Sequence, residues 1–207
     1  LWNRMSKFIP REYASINLCV EDEDPRWQCD LEGKWEAYGT NQHILLAKYD
    51  AGGHFAPHTD GYHVLDFNKR SMMSIVLYLN DCEAGGGDTR FYRDELRSKL
   101  KRNEAGRWTC VSPELEITTI SPRAGRALVF FHNHMHEGVP PQKGNRKYII
   151  RSDIMYHRVP PICTSPRDVE AYKLYMKANS AVSVQESQRL FQRCFRLSPA
   201  LAEIFGM

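Results

Sequence analysis

Residues 43–158 constrain the fold most strongly, because they consist of short β-branched and aromatic runs separated by turn residues. Two of these runs are MSIVLYL (73–79) and RALVFF (126–131), and typical separators are DAGG and PPQKGN. No apolar repeat of helical period lies between the runs. Short strands in close succession, without intervening helices, are typical of antiparallel sandwiches and barrels. We therefore predict that this stretch folds as a mainly β domain.

The two ends of the chain have a different character. Residues 1–9 have the pattern of a short amphipathic helix, and residues 19–41 predict an irregular connection. Towards the C-terminus, helix-capping serines precede apolar residues at helical spacing. These serines are Ser165, Ser183 and Ser198. We predict a domain of residues 1–158 with its core in 43–158, followed by a helical C-terminal appendage of residues 159–207.

The composition predicts a globular domain and argues against several classes of protein. Hydrophobic residues make up 42% of the 207 residues, which is enough for a core. The net charge of +3 is small and basic residues are spread along the chain, so we expect no nucleic-acid partner. No apolar run approaches the ~18–20 residues of a membrane span. The chain begins at Leu1 rather than Met, so we expect a trimmed N-terminus, and the lack of a visible secretory signal says little about the compartment. The compartment stays open, with the cytoplasm favoured.

The six cysteines of the chain lack the spacing of a known motif. There is no CxxC pair and no zinc-ribbon spacing among them. We expect free thiols in a reducing compartment. One or two disulfides in a secretory compartment are the alternative.

Histidines and one carboxylate form the sharpest local pattern. His58 and Asp60 are two residues apart, and such residues point to the same face of a strand. A histidine from a distant strand would complete a 2-His-1-carboxylate triad, which leaves three coordination positions open, as non-haem iron(II) oxygenases require. FFHNHMHEGVPP (130–141) supplies three candidates at the end of an apolar strand. They are His132, His134 and His136, and periodicity does not choose among them.

Two basic residues follow on the next predicted strand. Lys147 and Arg151 lie among apolar residues and are four positions apart. Burying a cation is costly unless an anion pairs with it. A dicarboxylate cosubstrate would be such an anion.

Further motifs follow one another in a defined order between residues 43 and 157. They comprise Tyr49, Gly52, Phe55, His58 and Asp60, then Tyr78-Leu79-Asn80, Gly86-Gly87-Asp88-Thr89-Arg90-Phe91, Pro122, Gly125, His136-Glu137-Gly138-Val139-Pro140, Gly144 and Lys147-Tyr148. In this order they resemble the prolyl 4-hydroxylase-like branch of the 2-oxoglutarate/iron(II) dioxygenases. The resemblance implies a double-stranded β-helix, or jelly-roll, with flanking helices at both ends and iron at its open mouth.

The resemblance also implies the chemistry and the metal ligands. Such an enzyme converts 2-oxoglutarate and O₂ to succinate and CO₂ while it hydroxylates a substrate, and ascorbate is an expected supporting reductant. The implied iron(II) ligands are His58, Asp60 and His136, because Glu-Gly-Val-Pro follows His136 as in the family. His132 and His134 are then expected around the metal centre or at its rim. No catalytic residue is implied beyond the metal centre.

The residue that binds 2-oxoglutarate is ambiguous in the sequence. Counting ten positions from His136, as in the collagen-type enzymes, gives Arg146. The K-Y-I-I that follows fits Lys147 better, with one extra residue in the turn, and we favour Lys147 on the distal carboxylate. Tyr49 matches a family tyrosine that lines the cosubstrate pocket, and an ordinary core tyrosine is the alternative.

Arg151 is a second candidate for the cosubstrate. It would touch the proximal carboxylate of 2-oxoglutarate or orient Asp60, and the alternative is a buried ion pair with Asp153 or another acid. Three further residues are expected to point into the barrel and line the pocket without taking part in the chemistry. They are Ile75, Leu77 and Thr89.

Substrate selection is expected to lie in two loops, 61–72 and 93–114, of which the second is long, charged and without regular pattern. Possible substrate contacts in the first loop are Tyr62, His63 and Arg70. The resemblance favours a peptide or protein substrate that is hydroxylated at prolyl residues. The alternatives are a small-molecule hydroxylase of the same family and a catalytically silent jelly-roll that acts as a binding module.

Overall fold

The computed structural model describes residues 1–10, 12–13, 29–83, 85–93, 100–104, 106–110 and 112–207. The strands are β1 (Glu12–Tyr13), β2 (Trp35–Thr40), β3 (Leu45–Tyr49), β4 (Phe55–His58), β5 (Val64–Asp66), β6 (Lys69–Tyr78), β7 (Thr89–Tyr92), β8 (Leu100–Arg102), β9 (Trp108–Cys110), β10 (Glu116–Ile120), β11 (Ala127–Phe131), β12 (His136–Gly138) and β13 (Lys147–Arg158). The helices are α1 (Trp2–Met5), α2 (Pro166–Asn179), α3 (Val184–Leu197) and α4 (Pro199–Ile204). The chain forms two compact units.

One unit comprises Thr40–Tyr62 and Ser71–Ile154 and contains strands of two larger antiparallel sheets and the two-stranded sheet of β8 and β9. In the first sheet β3 pairs with β13, and β6 pairs with β11 in the register Leu77 opposite Ala127. The second sheet has the strand order β10-β7-β12-β4. β6 is buried on both faces along most of its length. Its largely apolar sequence explains this burial, because apolar runs form strands that are buried on both faces.

The core of this β unit lies between its two sheets. Buried side chains of the first sheet include Val76, Tyr78 and Ile149. Phe91 and Ile120 of the second sheet pack against them. Two antiparallel sheets that pack face to face in this way have the architecture of a jelly-roll. The predicted mainly β jelly-roll is therefore confirmed.

A glycine turn holds the start of β7 against the residues that follow β12. Gly86 has a φ of +73° and bridges to Pro141. A Cβ atom on Gly86 would lie 2.4 Å from the carbonyl oxygen of Pro140. Only glycine fits both this backbone conformation and this close approach.

The other unit comprises Leu1–Gly39, His63–Arg70 and Met155–Met207 and carries the helices. Its apolar core is formed by Phe67, Ala171, Tyr172, Leu174, Cys194, Leu201 and Phe205. Trp35 is fully buried, with the guanidinium carbons of Arg158 and Arg70 at 4.3 Å and 5.7 Å from its ring.

The three predicted helix caps at the C-terminus are confirmed. The Ser165 side chain accepts a hydrogen bond from the backbone of Asp168, whose carboxylate accepts one from the Ser165 backbone in return. Ser183 caps α3 through the backbone of Glu186, and Ser198 caps α4. The short N-terminal helix is also confirmed, as α1 followed by a 3-10 turn. The boundary between residues 158 and 159 stays a prediction.

Two predictions about loops are wrong in part. The predicted irregular connection at 19–41 contains β2, which the buried Trp35 anchors, while residues 19–28 lie outside the described part of the chain. The predicted loop at 93–114 contains the hairpin of β8 and β9, while residues 94–99, 105 and 111 lie outside the described part. No helix among the described residues is long and apolar enough to cross a membrane. The four cysteines with described side chains are free: Cys82, Cys110, Cys163 and Cys194.

Candidate metal centre

Strand pairing brings the three predicted metal ligands together. β4 and β12 are antiparallel neighbours, and His58 lies opposite His136 in their register. Asp60 follows β4, with Oδ1 3.6 Å from Nε2 of His58 and Oδ2 3.8 Å from Nε2 of His136. One ligand atom from each residue lies within 4.8 Å of the other two. A single metal ion could therefore contact all three side chains.

Backbone carbonyls fix the ring orientation of both histidines. Nδ1 of His58 lies 2.7 Å from the carbonyl oxygen of Ala56, and Nδ1 of His136 lies 2.9 Å from that of His134. A carbonyl oxygen only accepts hydrogen bonds, so Nδ1 carries the proton in each ring. Burial lowers the pKa of His136 to about 4, which leaves it neutral near pH 7. Nε2 of His136 then presents a lone pair towards the other two side chains, as metal-binding histidines require.

Both carboxylate oxygens of Asp60 accept a short contact from the protein. Nη2 of Arg151 lies 2.5 Å from Oδ1, and Oγ of Ser74 lies 2.5 Å from Oδ2. Burial acts to raise the pKa of Asp60, but the neighbouring His58 and Ser74 and the charge of Arg151 outweigh it and hold the pKa well below its usual range. The carboxyl group is therefore ionised and able to bind a metal.

A cavity of the β unit adjoins this triad. Its lining includes His58, His136 and Arg151, and Tyr49 and Lys147 also contribute to its wall. Two imidazoles and one carboxylate beside a cavity form the ligand set of non-haem iron(II) oxygenases. The residues present therefore fit an iron(II) ion with room for further ligands.

Lys147 is a buried cation in this cavity. Its side chain is 2% exposed, and its Nζ lies 4.5 Å from the centre of the Tyr49 ring. Burial lowers the pKa of Lys147 to about 8. Among the residues that the structure describes, Lys147 has no carboxylate within ion-pair distance. Arg146, the competing candidate, is exposed and pairs with Asp50 at 3.3 Å.

The face of β6 that points into the cavity is the opposite of the predicted one. Val76 lines the cavity, and Ser74 on the same face contacts Asp60. The prediction that Ile75 and Leu77 line the pocket is therefore wrong. A continuous apolar run has no alternation from which to choose the inward face. Thr89 does line the cavity, and its hydroxyl accepts a hydrogen bond from Tyr78 at 2.6 Å.

The three histidines that were candidates for the third metal ligand have different environments in the structure. β11 ends at Phe131 and a turn precedes β12, so the strand does not stay regular through 132–136. His134 is exposed, whereas His132 is fully buried and bonds to two serine hydroxyls. Sequence reasoning missed these serines, Ser71 and Ser74, although two polar residues in a buried apolar strand are a visible signal.

The possible substrate contacts have different environments. Tyr62 is 42% exposed, and its ring lies edge-on to His132 at 5.4 Å between centroids. Arg70 is 3% exposed, and its Nη2 lies 2.5 Å from Oδ2 of Asp30. A buried guanidinium that is paired with a carboxylate cannot reach a substrate, so the prediction for Arg70 is wrong. His63 is half-buried in the helical unit and stays a prediction.

Three solved structures resemble parts of this chain. A Pseudomonas putida prolyl-4-hydroxylase is 24% identical, covering 56% of this chain and 50% of that chain, with a TM-score of 0.35. A Trichoplax adhaerens prolyl hydroxylase, solved with a hypoxia inducible factor peptide fragment, is 18% identical, with coverages of 58% and 46% and a TM-score of 0.39. A collagen prolyl hydroxylase of Paramecium Bursaria Chlorella virus-1 is 20% identical, with coverages of 58% and 58% and a TM-score of 0.38. The matches thus span about half the length of these proteins.

A family model gives the assignment. No curated protein matches the chain. The model of the 2OG-Fe(II) oxygenase superfamily matches residues 44–167, which is more than half of the 207 residues and includes the triad and the cavity. The chain therefore belongs to the 2OG-Fe(II) oxygenase superfamily.

Proposed function

We propose that this protein is a 2-oxoglutarate- and Fe(II)-dependent dioxygenase that hydroxylates a peptide or protein substrate at prolyl residues. The observation that carries the oxygenase part is the juxtaposition of His58, Asp60 and His136 beside a cavity with a buried lysine. Family membership implies Fe(II), 2-oxoglutarate and O₂ as the reactants. Ascorbate is proposed as a supporting reductant.

The triad would hold the Fe(II). The protonated Nδ1 atoms direct Nε2 of both histidines inward, and the ionised Asp60 supplies the charge that a dication needs. When bound, Fe(II) with 2-oxoglutarate and O₂ supplies the oxidation that hydroxylates the substrate and yields succinate and CO₂. The protein's own contribution is to bind, orient and shield the reactants.

Lys147 would bind the distal carboxylate of 2-oxoglutarate. Its ammonium lies in the cavity wall against Tyr49, and a carboxylate there would offset the cost of burying the charge. Arg151 lies nearer the triad, on the same face of β13, and already pairs with Asp60. We therefore propose that Arg151 orients the metal ligand and that Lys147 is the main anchor.

An extended substrate would cross the cavity mouth. Leu45 and Phe55 line the cavity and are 56% and 50% exposed. The hairpin of β8 and β9 lies next to β4 and carries the exposed Lys101, Arg102 and Trp108. Such a surface suits a peptide, because its backbone can lie along the surface while one side chain enters the cavity. The choice of proline rests on the order of the sequence motifs alone.

Mass spectrometry tests the proposal. The protein is incubated with Fe(II), 2-oxoglutarate, ascorbate and a panel of proline-containing peptides, and succinate and peptide masses are measured. A gain of one oxygen on a prolyl residue, with matching succinate, is expected. Oxidation of a small metabolite without modification of any peptide would contradict the peptide substrate. Metal and 2-oxoglutarate binding without any turnover would favour the binding module.

A further inference from the structure

A chain of four hydrogen-bonded side chains leads from the core to the metal ligand Asp60. Oγ of Ser74 lies 2.5 Å from Oδ2 of Asp60 and 2.8 Å from Nδ1 of His132. Nε2 of His132 lies 2.8 Å from Oγ of Ser71. His132, Ser71 and Ser74 are each 0% exposed, so no solvent competes for these contacts. The backbone N–H of Asp60 also donates to the carbonyl oxygen of His132 at 2.8 Å.

The number of protons available shows which group donates and which accepts in each of these hydrogen bonds. An ionised carboxylate only accepts hydrogen bonds, so the single hydroxyl proton of Ser74 points to Asp60. Oγ of Ser74 must then accept from His132, which places a proton on Nδ1 of that ring. In a neutral imidazole that is protonated at Nδ1, Nε2 carries a lone pair and accepts from Ser71. Every donor in the series therefore points towards Asp60.

We propose that His132 is a positioning residue for the metal centre, which acts through Ser74 to hold the Asp60 carboxylate in the orientation that the metal needs. This inference rests on the proposed function of the triad. The imidazole keeps the Ser74 hydroxyl from turning away from Asp60, because its Nδ1–H occupies the acceptor side of that oxygen. The ionised Asp60, through the Ser74 hydroxyl, selects this tautomer, and Ser71 in turn holds the ring in place because its hydroxyl is the partner of Nε2.

The opposite tautomer of His132 would break the hydrogen bond between Ser74 and Asp60. With the proton on Nε2, Nδ1 of His132 would accept from Ser74, and the Ser74 hydroxyl would no longer donate to Asp60. Oδ2 of Asp60 would then lose a bond in a site where the side chain is only 4% exposed. Groups that orient a metal ligand typically change metal affinity by about 10- to 100-fold when they are removed.

Titration of Co(II) into the metal-free full chain, followed by its visible absorption, tests the inference. His132→Gln places an amide near the position of Nε2 and removes the donor to Ser74, so we expect the dissociation constant to rise on the order of 10- to 100-fold. His132→Asn places an amide near the position of Nδ1 and can still donate to Ser74, so it should bind Co(II) more tightly than His132→Gln. Ser71→Ala should also weaken binding, although it touches neither the metal nor Asp60.

Two controls separate positioning from a general loss of packing. Ser152→Ala removes another buried serine, whose hydroxyl donates to the carbonyl oxygen of Asn41, and it should leave Co(II) affinity unchanged. The absorption spectrum of the loaded variants should change shape in His132→Gln and not in Ser152→Ala, because only the former alters the coordinating carboxylate.

The outcomes distinguish this inference from the assignment of the triad. If Asp60→Ala binds Co(II) as the wild type does, the triad itself is wrong. If Asp60→Ala loses binding while His132→Gln keeps the wild-type dissociation constant and spectrum, the triad stands and the role of His132 is wrong. Should His132→Gln fail to fold, Ser71→Ala decides, since it keeps the imidazole, and wild-type affinity in that variant overturns the inference.

Discussion

The guanidinium of Arg151 and the carboxylate of Asp60 form an ion pair in which Nη2 and Oδ1 lie 2.5 Å apart. With Ser74 on Oδ2, this pair holds both oxygens of the carboxylate that the metal would share. The side chain of Asp60 is 4% exposed, whereas that of Arg151 is 35% exposed and lines the cavity. Arg151 is therefore placed to influence the proposed metal ligand from the side of the cavity.

Replacing Arg151 with alanine should weaken metal binding and leave the fold intact. The carboxylate of Asp60 stays ionised near neutral pH, because its other neighbours still favour the charged form, but it loses one of its two orienting contacts. We expect the dissociation constant for Fe(II), measured anaerobically, to rise on the order of tenfold or more. Arg146→Ala removes an exposed arginine that pairs with Asp50 and is the matched control. Equal effects of the two substitutions would show that Arg151 acts only through the general field of the protein.

Replacing Lys147 with alanine should impair 2-oxoglutarate binding much more than metal binding. A buried carboxylate that loses its charge partner costs about 2–5 kcal/mol, which corresponds to more than tenfold in affinity. Isothermal titration of 2-oxoglutarate into the Mn(II)-loaded protein measures the effect. Arg146→Ala should bind as the wild type does. If Arg146→Ala loses binding and Lys147→Ala keeps it, the assignment of the anchor is wrong.

The affinity for 2-oxoglutarate should fall at alkaline pH. Burial lowers the pKa of Lys147 to about 8, so in the free protein the ammonium loses its proton above that pH. The dicarboxylate keeps its charge in this range and binds the ammonium, so binding above about pH 8 requires proton uptake. The dissociation constant should therefore rise with pH, by up to about tenfold per unit. Measurements between pH 7 and pH 9.5 should show this rise in the dissociation constant for the wild type and not for Lys147→Ala. An equal rise in the two proteins would show that another titrating group causes the pH dependence.

Gly86 should be a sensitive position for stability. Its φ of +73° disfavours any side chain, and a Cβ would lie 2.4 Å from the carbonyl oxygen of Pro140. Gly144 also has a positive φ, of +95°, but a Cβ there would meet nothing within 4 Å. In Gly144→Ala the free energy of unfolding should therefore fall only by the backbone strain, about 1–3 kcal/mol. In Gly86→Ala it should fall further, because the clash with Pro140 adds to the strain. Urea denaturation of both variants measures the difference, and equal losses would show that the turn relaxes.

The sequence predicts the pair of His58 and Asp60 and the mainly β fold because both depend on local patterns, whereas the choice of His136 as the third ligand rests on the family resemblance. His58 and Asp60 lie near one another through strand periodicity, and the short runs between turns specify the sheets. The inward face of β6 lies one residue away from the predicted one, because buried residues follow one another along this strand and do not alternate with exposed ones. Local sequence patterns also do not predict which distant side chains pair. Arg70 is an example, because its partner Asp30 is 40 positions away.

The hydrogen-bonded path to the metal ligand illustrates the same limit. His132 was expected around the metal centre or at its rim, but its bonds to Ser71 and Ser74 depend on the pairing of β11 with β6. The pairing register decides which side chains of two strands face each other, and no local pattern specifies it for two continuous apolar runs.

Anomalous diffraction from crystals grown anaerobically with Fe(II) tests whether His58, Asp60 and His136 hold the metal. We expect one anomalous peak at the iron absorption edge, within bonding distance of Nε2 of His58, Nε2 of His136 and one carboxylate oxygen of Asp60. Crystals of Asp60→Ala grown in the same way should lack that peak. An iron peak bonded to other side chains, or a peak that persists unchanged in Asp60→Ala, would contradict the account.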